Sequence, residues 1–288
     1  MLTVHNNNFT LLQLTDIHIG QYPFVKEDLL TLDKLDATLK STTADLVVIT
    51  GDLIWSEGVT TPEKGYRAII DLLNKYDIPV AITYGNHDSE EGLTRTDLRN
   101  FEKEIHHLVE KKEIFIDSDD KEAFTVELYN QENLAHVLYF FDSGANSLVD
   151  LEGYDWVSLE QIDWYEKTMK NYQQKGHEKD DLAFLHIPLP EFNQAGEHIL
   201  DGYHWEMNPR VSSPKLNSGL FSRIQKNNHI HAIFCGHDHD NNFDGLFMGI
   251  HCVYGNVSGY NCYGELPRGY RLIELTNGEI STTCVPFD

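Results

Sequence analysis

The chain has 288 residues, and its 22 Lys and Arg against 46 Asp and Glu give a formal net charge of −24 at pH 7. Nucleic acids and anionic membranes both select basic surfaces, so this charge argues against either partner. A small ligand held by a few focused groups is still compatible with it. Hydrophobic residues make up 41% of the chain, which excludes extensive disorder. We predict a single domain over residues 1–288, because no linker marks a boundary.

The first residues and the cysteines indicate in which cellular compartment the protein is found. Residues 1–8 carry no basic region and no apolar stretch, so they do not resemble a secretory signal. The apolar runs, such as residues 137–141, fall far below the ~18 residues of a membrane-spanning helix. The four cysteines lie in the last fifth of the chain without a CxxC pair, and free thiols are their simplest interpretation. We therefore expect a cytoplasmic protein.

Short β-rich runs alternate with helical patterns in the first hundred residues. Strands are predicted at residues 10–14, 46–50 and 79–83, and amphipathic helices between them at 26–40 and 62–76. These two βαβ units predict a mainly parallel sheet with right-handed crossovers.

The remainder of the chain is more varied. The patterns predict a charged helix at 94–112, a hairpin of 123–129 with 135–141, a helix at 158–174, strands at 182–185 and 232–235, and β-like runs at 250–254, 270–275 and 281–285. The last three runs suggest a second sheet. Residues 188–220 are rich in Pro, Asn and Gly and weakly periodic, and a loop of that length is usually functional or mobile.

Polar side chains that bind metals follow five of the predicted strands. They are Asp16-Ile17-His18, Gly51-Asp52, Gly85-Asn86-His87-Asp88, His186 and Gly236-His237-Asp238-His239. Any one of the shorter pieces alone is more often a turn or a helix cap. All five together, at the carboxyl ends of parallel strands where ligands bind, indicate a site.

The residue types at these positions favour a pair of transition metals. Carboxylate, amide and imidazole groups suit Mn, Fe, Zn or Ni better than Ca or Mg. Seven candidate ligands are too many for one ion, whereas two ions about 3.5–4 Å apart can share a bridging carboxylate and promote in-line displacement at phosphorus. Two divalent ions also reverse the local charge, so that an anionic phosphate ester can bind to an acidic protein.

These motifs resemble the signature of the calcineurin-like metallophosphoesterases. The resemblance implies an α/β fold, a four-layer α/β/β/α sandwich of two mixed sheets flanked by helices, with a dinuclear centre at the strand ends. It implies two divalent transition metal ions (Mn, Fe or Zn), one held by Asp16, His18, Asp52 and His239 and the other by Asp52, Asn86, His186 and His237. Asp52 would bridge the two ions.

The same resemblance implies a mechanism. His87 would contact the phosphate and protonate the leaving oxygen, Asp88 would orient His87, and a metal-bridging hydroxide would be the nucleophile. The expected activity is hydrolysis of small phosphomonoesters. A phosphodiesterase, for instance one acting on cyclic nucleotides, is the alternative, because such enzymes carry similar motifs. A catalytically silent scaffold is less expected, because the ligands and the acid histidine are all present.

A narrower resemblance, carried by residues 185–191 and 217–221, is to the purple acid phosphatase-related subgroup of plants and fungi. Purple acid phosphatases have Gly and an iron-binding Tyr where this chain has His18 and Trp55, so the purple iron–tyrosinate centre should be absent.

Several residues near the motifs allow two interpretations. The aromatic or polar residues of two loops either line a substrate pocket or pack within the loops, namely His204, Trp205, Tyr254, Tyr260, Asn261 and Tyr263. For Arg95 and Arg99, surface ion pairs are favoured over contact with a substrate phosphate.

Overall fold

Two β-sheets form the middle of the fold, and helices cover their outer faces. The structure is a computed structural model that describes residues 1–147, 149, 153–177 and 181–288. Its strands are β1 (Leu2–Thr3), β2 (Asn8–Leu14), β3 (Leu46–Thr50), β4 (Val80–Thr83), β5 (Lys112–Ile116), β6 (Glu122–Asn130), β7 (Asn133–Phe141), β8 (Asp181–Phe184), β9 (Ile199–Asp201), β10 (Ile230–Cys235), β11 (Asp244–Phe247), β12 (Ile250–Tyr254), β13 (Gly269–Thr276) and β14 (Glu279–Pro286). Its helices are α1 (Lys26–Ser41), α2 (Pro62–Leu73), α3 (Arg95–Glu102), α4 (Leu159–Gln174), α5 (Phe192–Ala195) and α6 (Leu220–Asn227).

Both sheets are mixed. The smaller one has the order β14-β13-β2-β3-β4, in which β2, β3 and β4 are parallel and β13 is antiparallel to β2. The larger one has the order β1-β6-β7-β8-β10-β12-β11-β9, with β5 beside β6. Within it, β7, β8, β10 and β12 are parallel neighbours. The carboxyl ends of β2, β3, β4, β8 and β10 carry the five motifs.

Local sequence explains where several helices begin. Pro62 occupies the first turn of α2, where its missing N–H costs no helical hydrogen bond. Ser158 caps α4 by accepting a hydrogen bond from the Gln161 amide, and Thr94 caps α3 in the same way through the Asp97 amide.

The layers are held together by three apolar clusters. One lies between the sheets, a second joins the smaller sheet to α1, α2 and α3, and a third joins the larger sheet to α4, α5 and α6. Four stacked rings run across the inner face of the larger sheet, with centroid distances of 4.6, 5.0 and 5.1 Å, namely Phe124, Phe140, Phe184 and Phe234. Each buried phenyl ring stabilises the fold by roughly 1.5–3 kcal/mol. The expected four-layer sandwich is confirmed.

Two sequence predictions about secondary structure are wrong. The helix predicted at 94–112 ends at Glu102, because the chain beyond it pairs with the start of β4: the Val80 amide donates to the His107 carbonyl, and the Val109 amide donates to the Val80 carbonyl. The three β-like runs of the tail do not make a sheet of their own. The run at 250–254 is β12 of the larger sheet, and the other two form the hairpin β13–β14 at the edge of the smaller sheet.

The segment 188–220 contains the short helix α5 and the edge strand β9, with irregular chain between and after them.

All four cysteines lie in the described residues and are free thiols, as predicted. Among the described residues, no helix has the length and apolar character needed to cross a membrane.

Candidate metal centre

The backbone at the strand ends is bent into an unusual conformation. Four candidate ligands have left-handed φ angles of 51° to 82°, namely Asp16, His18, Asp52 and His237. For residues with a side chain this conformation is strained, and it persists only where the surroundings enforce it. Backbone hydrogen bonds from the amides of Asp16 and Ile17 to the carbonyls of Gly51 and Asp52 hold the turns after β2 and β3. The His237 amide donates to the Asp16 carboxylate at 3.1 Å, which holds the third turn.

Asp16, His18 and His239 form the first cluster of candidate ligands. Their ligand atoms all lie within 4.8 Å of one another, and the three side chains are buried. His239 Nε2 is 3.4 Å from Asp16 Oδ1 and 3.2 Å from His18 Nε2. One carboxylate oxygen and two imidazole nitrogens therefore converge on one point.

Asp52, His186 and His237 form the second cluster, with the same 4.8 Å limit and the same burial. His186 Nε2 lies 3.0 Å from Asp52 Oδ2 and 3.2 Å from Asn86 Oδ1. Asn86 therefore joins this cluster through its amide oxygen.

Asp52 links the two clusters. Its Oδ2 atom is 3.0 Å from His186 Nε2 and 3.6 Å from His18 Nε2. Its Oδ1 atom accepts a hydrogen bond of 2.9 Å from the His87 amide. One oxygen is thus fixed by the backbone, and the other faces both groups of imidazoles.

The imidazole hydrogen bonds show that the residues fit metal ions. His186 Nδ1 donates to the Thr50 carbonyl at 2.7 Å, and His239 Nδ1 donates to the Tyr263 carbonyl at 3.1 Å. Each bond fixes the orientation of the ring and leaves Nε2 as the nitrogen that faces the cluster. His237 Nε2 is buried with no hydrogen-bond partner among the described residues. Buried lone pairs of this kind, beside two carboxylates, match the donors that divalent transition metals prefer.

Electrostatics keep both carboxylates ionised. Burial raises the pKa of Asp16, but the hydrogen bond and charge of His239 outweigh it and bring that pKa to about 2. Burial likewise opposes the ionised form of Asp52, yet the charge of His186 holds its pKa well below the usual range. The pKa of His237 falls to about 3 through burial, so this ring is neutral and able to ligate at neutral pH. Burial lowers the pKa of His186 and His239, but the charge of Asp52 raises that of His186 to about 9, and the hydrogen bond to Asp16 raises that of His239 well above its ordinary value. Both rings are therefore protonated without metal, and a divalent ion would displace their Nε2 protons.

His87 and Asp88 are placed differently from the prediction. The Asp88 carboxylate accepts hydrogen bonds from the amides of Asp52, Ile54 and Gly85 at 2.9, 3.1 and 2.7 Å, so it ties together the turns after β3 and β4. The carboxylate next to His87 Nδ1 is Glu90, at 2.8 Å. The prediction that Asp88 orients His87 is therefore wrong.

Sequence reasoning missed Glu90, because its contact with His87 depends on the local turn. Residues His87–Ser89 form a 3₁₀ turn, in which side chains three residues apart lie on the same side. Burial lowers the pKa of His87, but the Glu90 hydrogen bond and the Asp52 charge outweigh it and leave the pKa above its ordinary value.

Aromatic rings cover two of the site imidazoles. The Trp55 ring stacks on His87 at 4.5 Å, and the Tyr263 ring stacks on His239 at 4.1 Å. Trp205 and Tyr263 are half exposed, whereas Tyr254 is buried and donates to Asp238 at 2.6 Å. Of the loop aromatics, Tyr254 therefore packs in the interior.

The remaining loop residues and the two arginines are explained by packing and ion pairs. His204 packs against Phe243, and the Tyr260 amide and Asn261 side chain bond to α1 at Thr31 and Asp28. Arg99 pairs with Asp120, in line with the prediction of a surface ion pair. For Arg95 the prediction is wrong, because it forms a buried bidentate pair with Asp142 at 2.8 and 3.0 Å.

Comparison with known proteins agrees with this geometry. A family profile described as calcineurin-like phosphoesterase matches residues 9–241, and the chain belongs to that family. The chain is similar to "Probable inactive purple acid phosphatase 29" of Arabidopsis thaliana, with 28% identity over 90% of this chain and 74% of that protein. It is also similar to "Phosphatase DCR2" of Saccharomyces cerevisiae, with 28% identity over 82% of this chain and 44% of that protein. The fold is similar to that of a dimetal phosphatase from Danio rerio, with a TM-score of 0.65, 13% identity, and 97% and 99% of the two chains covered.

Proposed function

We propose that this protein is a phosphoesterase that uses two divalent transition metal ions and hydrolyses small phosphomonoesters. The observation that carries the proposal is the position of Asp52 Oδ2, which faces both buried ligand clusters at 3.0 and 3.6 Å. A shared carboxylate between two sets of imidazoles is the arrangement expected for a pair of ions acting on phosphorus.

Each part of the site has a proposed role. Asp16, His18 and His239 would hold one ion, Asn86, His186 and His237 the other, and Asp52 both. When bound, the ions would supply positive charge for the phosphate and lower the pKa of a water molecule.

His87, which does not belong to either cluster, would give a proton to the leaving oxygen. Its side chain is 23% exposed, so a substrate can reach it from solvent. The breaking P–O bond leaves its electron pair on the leaving oxygen, which takes that proton. The water oxygen bonds to phosphorus, and its lost proton restores the acid form of His87.

The charge of the chain supports a small substrate. With a net charge of −24, binding of a phosphate ester depends on the local positive charge of the site, which a long polyanion or an anionic membrane surface would not share. Nucleic acids and membranes are therefore not proposed as partners. A cytoplasmic location is part of the same proposal, supported by the four free thiols.

The word "inactive" belongs to the name of the Arabidopsis relative. In this chain the seven candidate ligands and His87 are all present, and six of the ligands already form the two clusters. This completeness supports catalysis over a silent scaffold.

The proposal is tested by loading the chelator-treated protein with Mn²⁺, Fe²⁺ or Zn²⁺ and measuring turnover of p-nitrophenyl phosphate, bis(p-nitrophenyl) phosphate and cyclic AMP. We expect the monoester to be hydrolysed fastest, and only with metal. Faster turnover of the diesters would favour a phosphodiesterase. No turnover of any substrate with any of the three metals would contradict the proposal. The Asp16→Asn variant, which alters one ligand, is the control for activity from a contaminating enzyme.

A further inference from the structure

The His87 imidazole is held on two sides by residues that have no place in the metal clusters. Its Nδ1 atom lies 2.8 Å from Glu90 Oε2, and its face stacks on the Trp55 indole, with 4.5 Å between ring centroids and 18° between ring planes. The hydrogen bond fixes the rotation of the ring, and the stacked indole limits its tilt. The hydrogen bond and the stacked indole together leave Nε2 as the imidazole nitrogen that can contact a substrate.

The two contacts are themselves anchored. Ser56 Oγ donates to the His87 carbonyl at 2.5 Å and accepts from the Glu90 amide at 2.9 Å, and Ser56 is fully buried. The Trp55 Nε1–H donates to the Glu57 carbonyl at 2.9 Å, which fixes the indole. The Glu90 side chain is only 11% exposed, so water competes little for its carboxylate. The orientation of His87 is therefore built into the turn between β4 and α3 and the segment after β3.

We propose that Glu90 and Trp55 are positioning residues for His87, an inference that rests on the proposed function above. Glu90 accepts the Nδ1 proton and so directs the Nε2 proton toward the leaving oxygen. Trp55 keeps the ring in the plane from which that proton can be delivered. During hydrolysis the Nε2 proton moves to the leaving oxygen as the P–O bond breaks, while the Nδ1 proton stays on His87.

This role has a consequence that a purely structural role lacks. An alkoxide is a poor leaving group and depends on protonation, whereas p-nitrophenolate departs readily without it. Loss of the His87 orientation should therefore slow an alkyl ester much more than an aryl ester. A general loss of folding or of metal would slow both esters equally.

The kinetic test compares glycerol phosphate with p-nitrophenyl phosphate in Mn²⁺-loaded Glu90→Ala and Trp55→Ala variants. We expect kcat/KM for the alkyl ester to fall about 10²-fold, as a misplaced catalytic group does, and for the aryl ester to fall only about threefold. Glu90→Gln and Trp55→Phe, which keep an acceptor and a ring face, should recover part of the loss. Equal losses on both esters, or no loss, would overturn the proposal.

Glu91→Ala is the matched control, because the Glu91 carboxylate accepts a hydrogen bond from the Gly58 amide at 2.9 Å and does not contact His87.

A second measurement, of the His87 tautomer, is made on the metal-free protein and does not depend on catalytic activity. Nitrogen-15 NMR of the neutral imidazole in the metal-free protein should show His87 as the Nδ1–H tautomer in the wild type and in Glu91→Ala, with a shift toward Nε2–H in Glu90→Ala. An Nε2–H tautomer in the wild type would overturn the proposal. Absence of turnover in the wild type would contradict the proposed function alone, since the tautomer still tests the Glu90 contact.

Discussion

The Asp52→Asn substitution removes a negative charge where the two clusters meet and keeps the shape of the side chain. The amide oxygen can still accept from the His87 amide, which lies 2.9 Å from Oδ1 in the wild type. The other position becomes an NH₂ group facing His186 Nε2 and His18 Nε2, at the 3.0 and 3.6 Å now held by an anionic oxygen. We expect the variant to fold and to lose affinity for metal.

The size of the loss follows from the burial of Asp52, which is 1% exposed. A charge in such a place interacts at a low effective dielectric constant and is screened little by salt. Removing one partner of a buried charged pair typically costs about 3–5 kcal/mol. Because ~1.4 kcal/mol corresponds to a tenfold change in affinity, the metal centre should bind roughly 10² to 4 × 10³ times more weakly.

Isothermal titration of Mn²⁺ and Zn²⁺ into chelator-treated protein measures this affinity, and elemental analysis after dialysis gives the occupancy. The control is Asp120→Asn, which makes the same chemical change in a partly exposed carboxylate that pairs with Arg99 outside both clusters. The control should bind metal like the wild type. Full occupancy and unchanged affinity in Asp52→Asn would show that no ion depends on the shared oxygen.

Four further predictions follow from other contacts. His87→Ala should keep both metal ions by elemental analysis and lose about 10²–10⁴-fold in kcat, because it removes the proton donor and no ligand; loss of metal would contradict this. Metal at about 100 times its Kd should stabilise the protein by ~2.7 kcal/mol, a rise of roughly 5–10 °C in Tm that EDTA reverses; an unchanged Tm would argue against ligation in the core. Gly85→Ala would press its Cβ against the Asp52 carboxylate, so urea unfolding should show a loss of about 1–3 kcal/mol together with lost metal, whereas Gly176→Ala, whose Cβ meets nothing within 4 Å, should keep its metal. Arg95→Ala leaves the Asp142 carboxylate buried and unpaired and should cost about 3–5 kcal/mol in urea unfolding, with recovery in Arg95→Met/Asp142→Leu; a loss that the double variant does not recover would contradict the ion-pair explanation.

The proximity of the candidate metal ligands could be predicted from the sequence, because it follows from the geometry of parallel strands. β2, β3 and β4 are short, buried and parallel, so their carboxyl ends share one edge, and His186 and His237 follow β8 and β10 of the facing sheet. A polar residue directly after such a strand is therefore close to the others regardless of the chain between them. The positions of α1, α2 and α4 were also close to prediction, because helical patterns depend on neighbouring residues, although only Leu35 and Leu39 of the α1 leucines are buried.

What could not be predicted depends on contacts between distant segments. Residues 103–109 have a helical pattern, but they form turns, and His107 and Val109 pair with Val80 instead of continuing the helix. Asp88 follows His87 in sequence, yet its carboxylate accepts hydrogen bonds from three backbone amides. The 3₁₀ turn places Glu90 beside His87 instead. Arg95 looked like a surface residue because its partner, Asp142, lies 47 residues away at the end of β7. Sequence patterns report local periodicity, whereas these outcomes depend on tertiary pairing.

The most direct test of a shared dinuclear phosphoesterase centre is the rate of p-nitrophenyl phosphate hydrolysis as Mn²⁺ is added stepwise to the metal-free protein. Asp52 faces both ligand clusters, so we predict a rate that rises until two ions are bound per chain and then stays constant. A plateau at one ion per chain, or no hydrolysis at any ratio of metal to protein, would contradict the account.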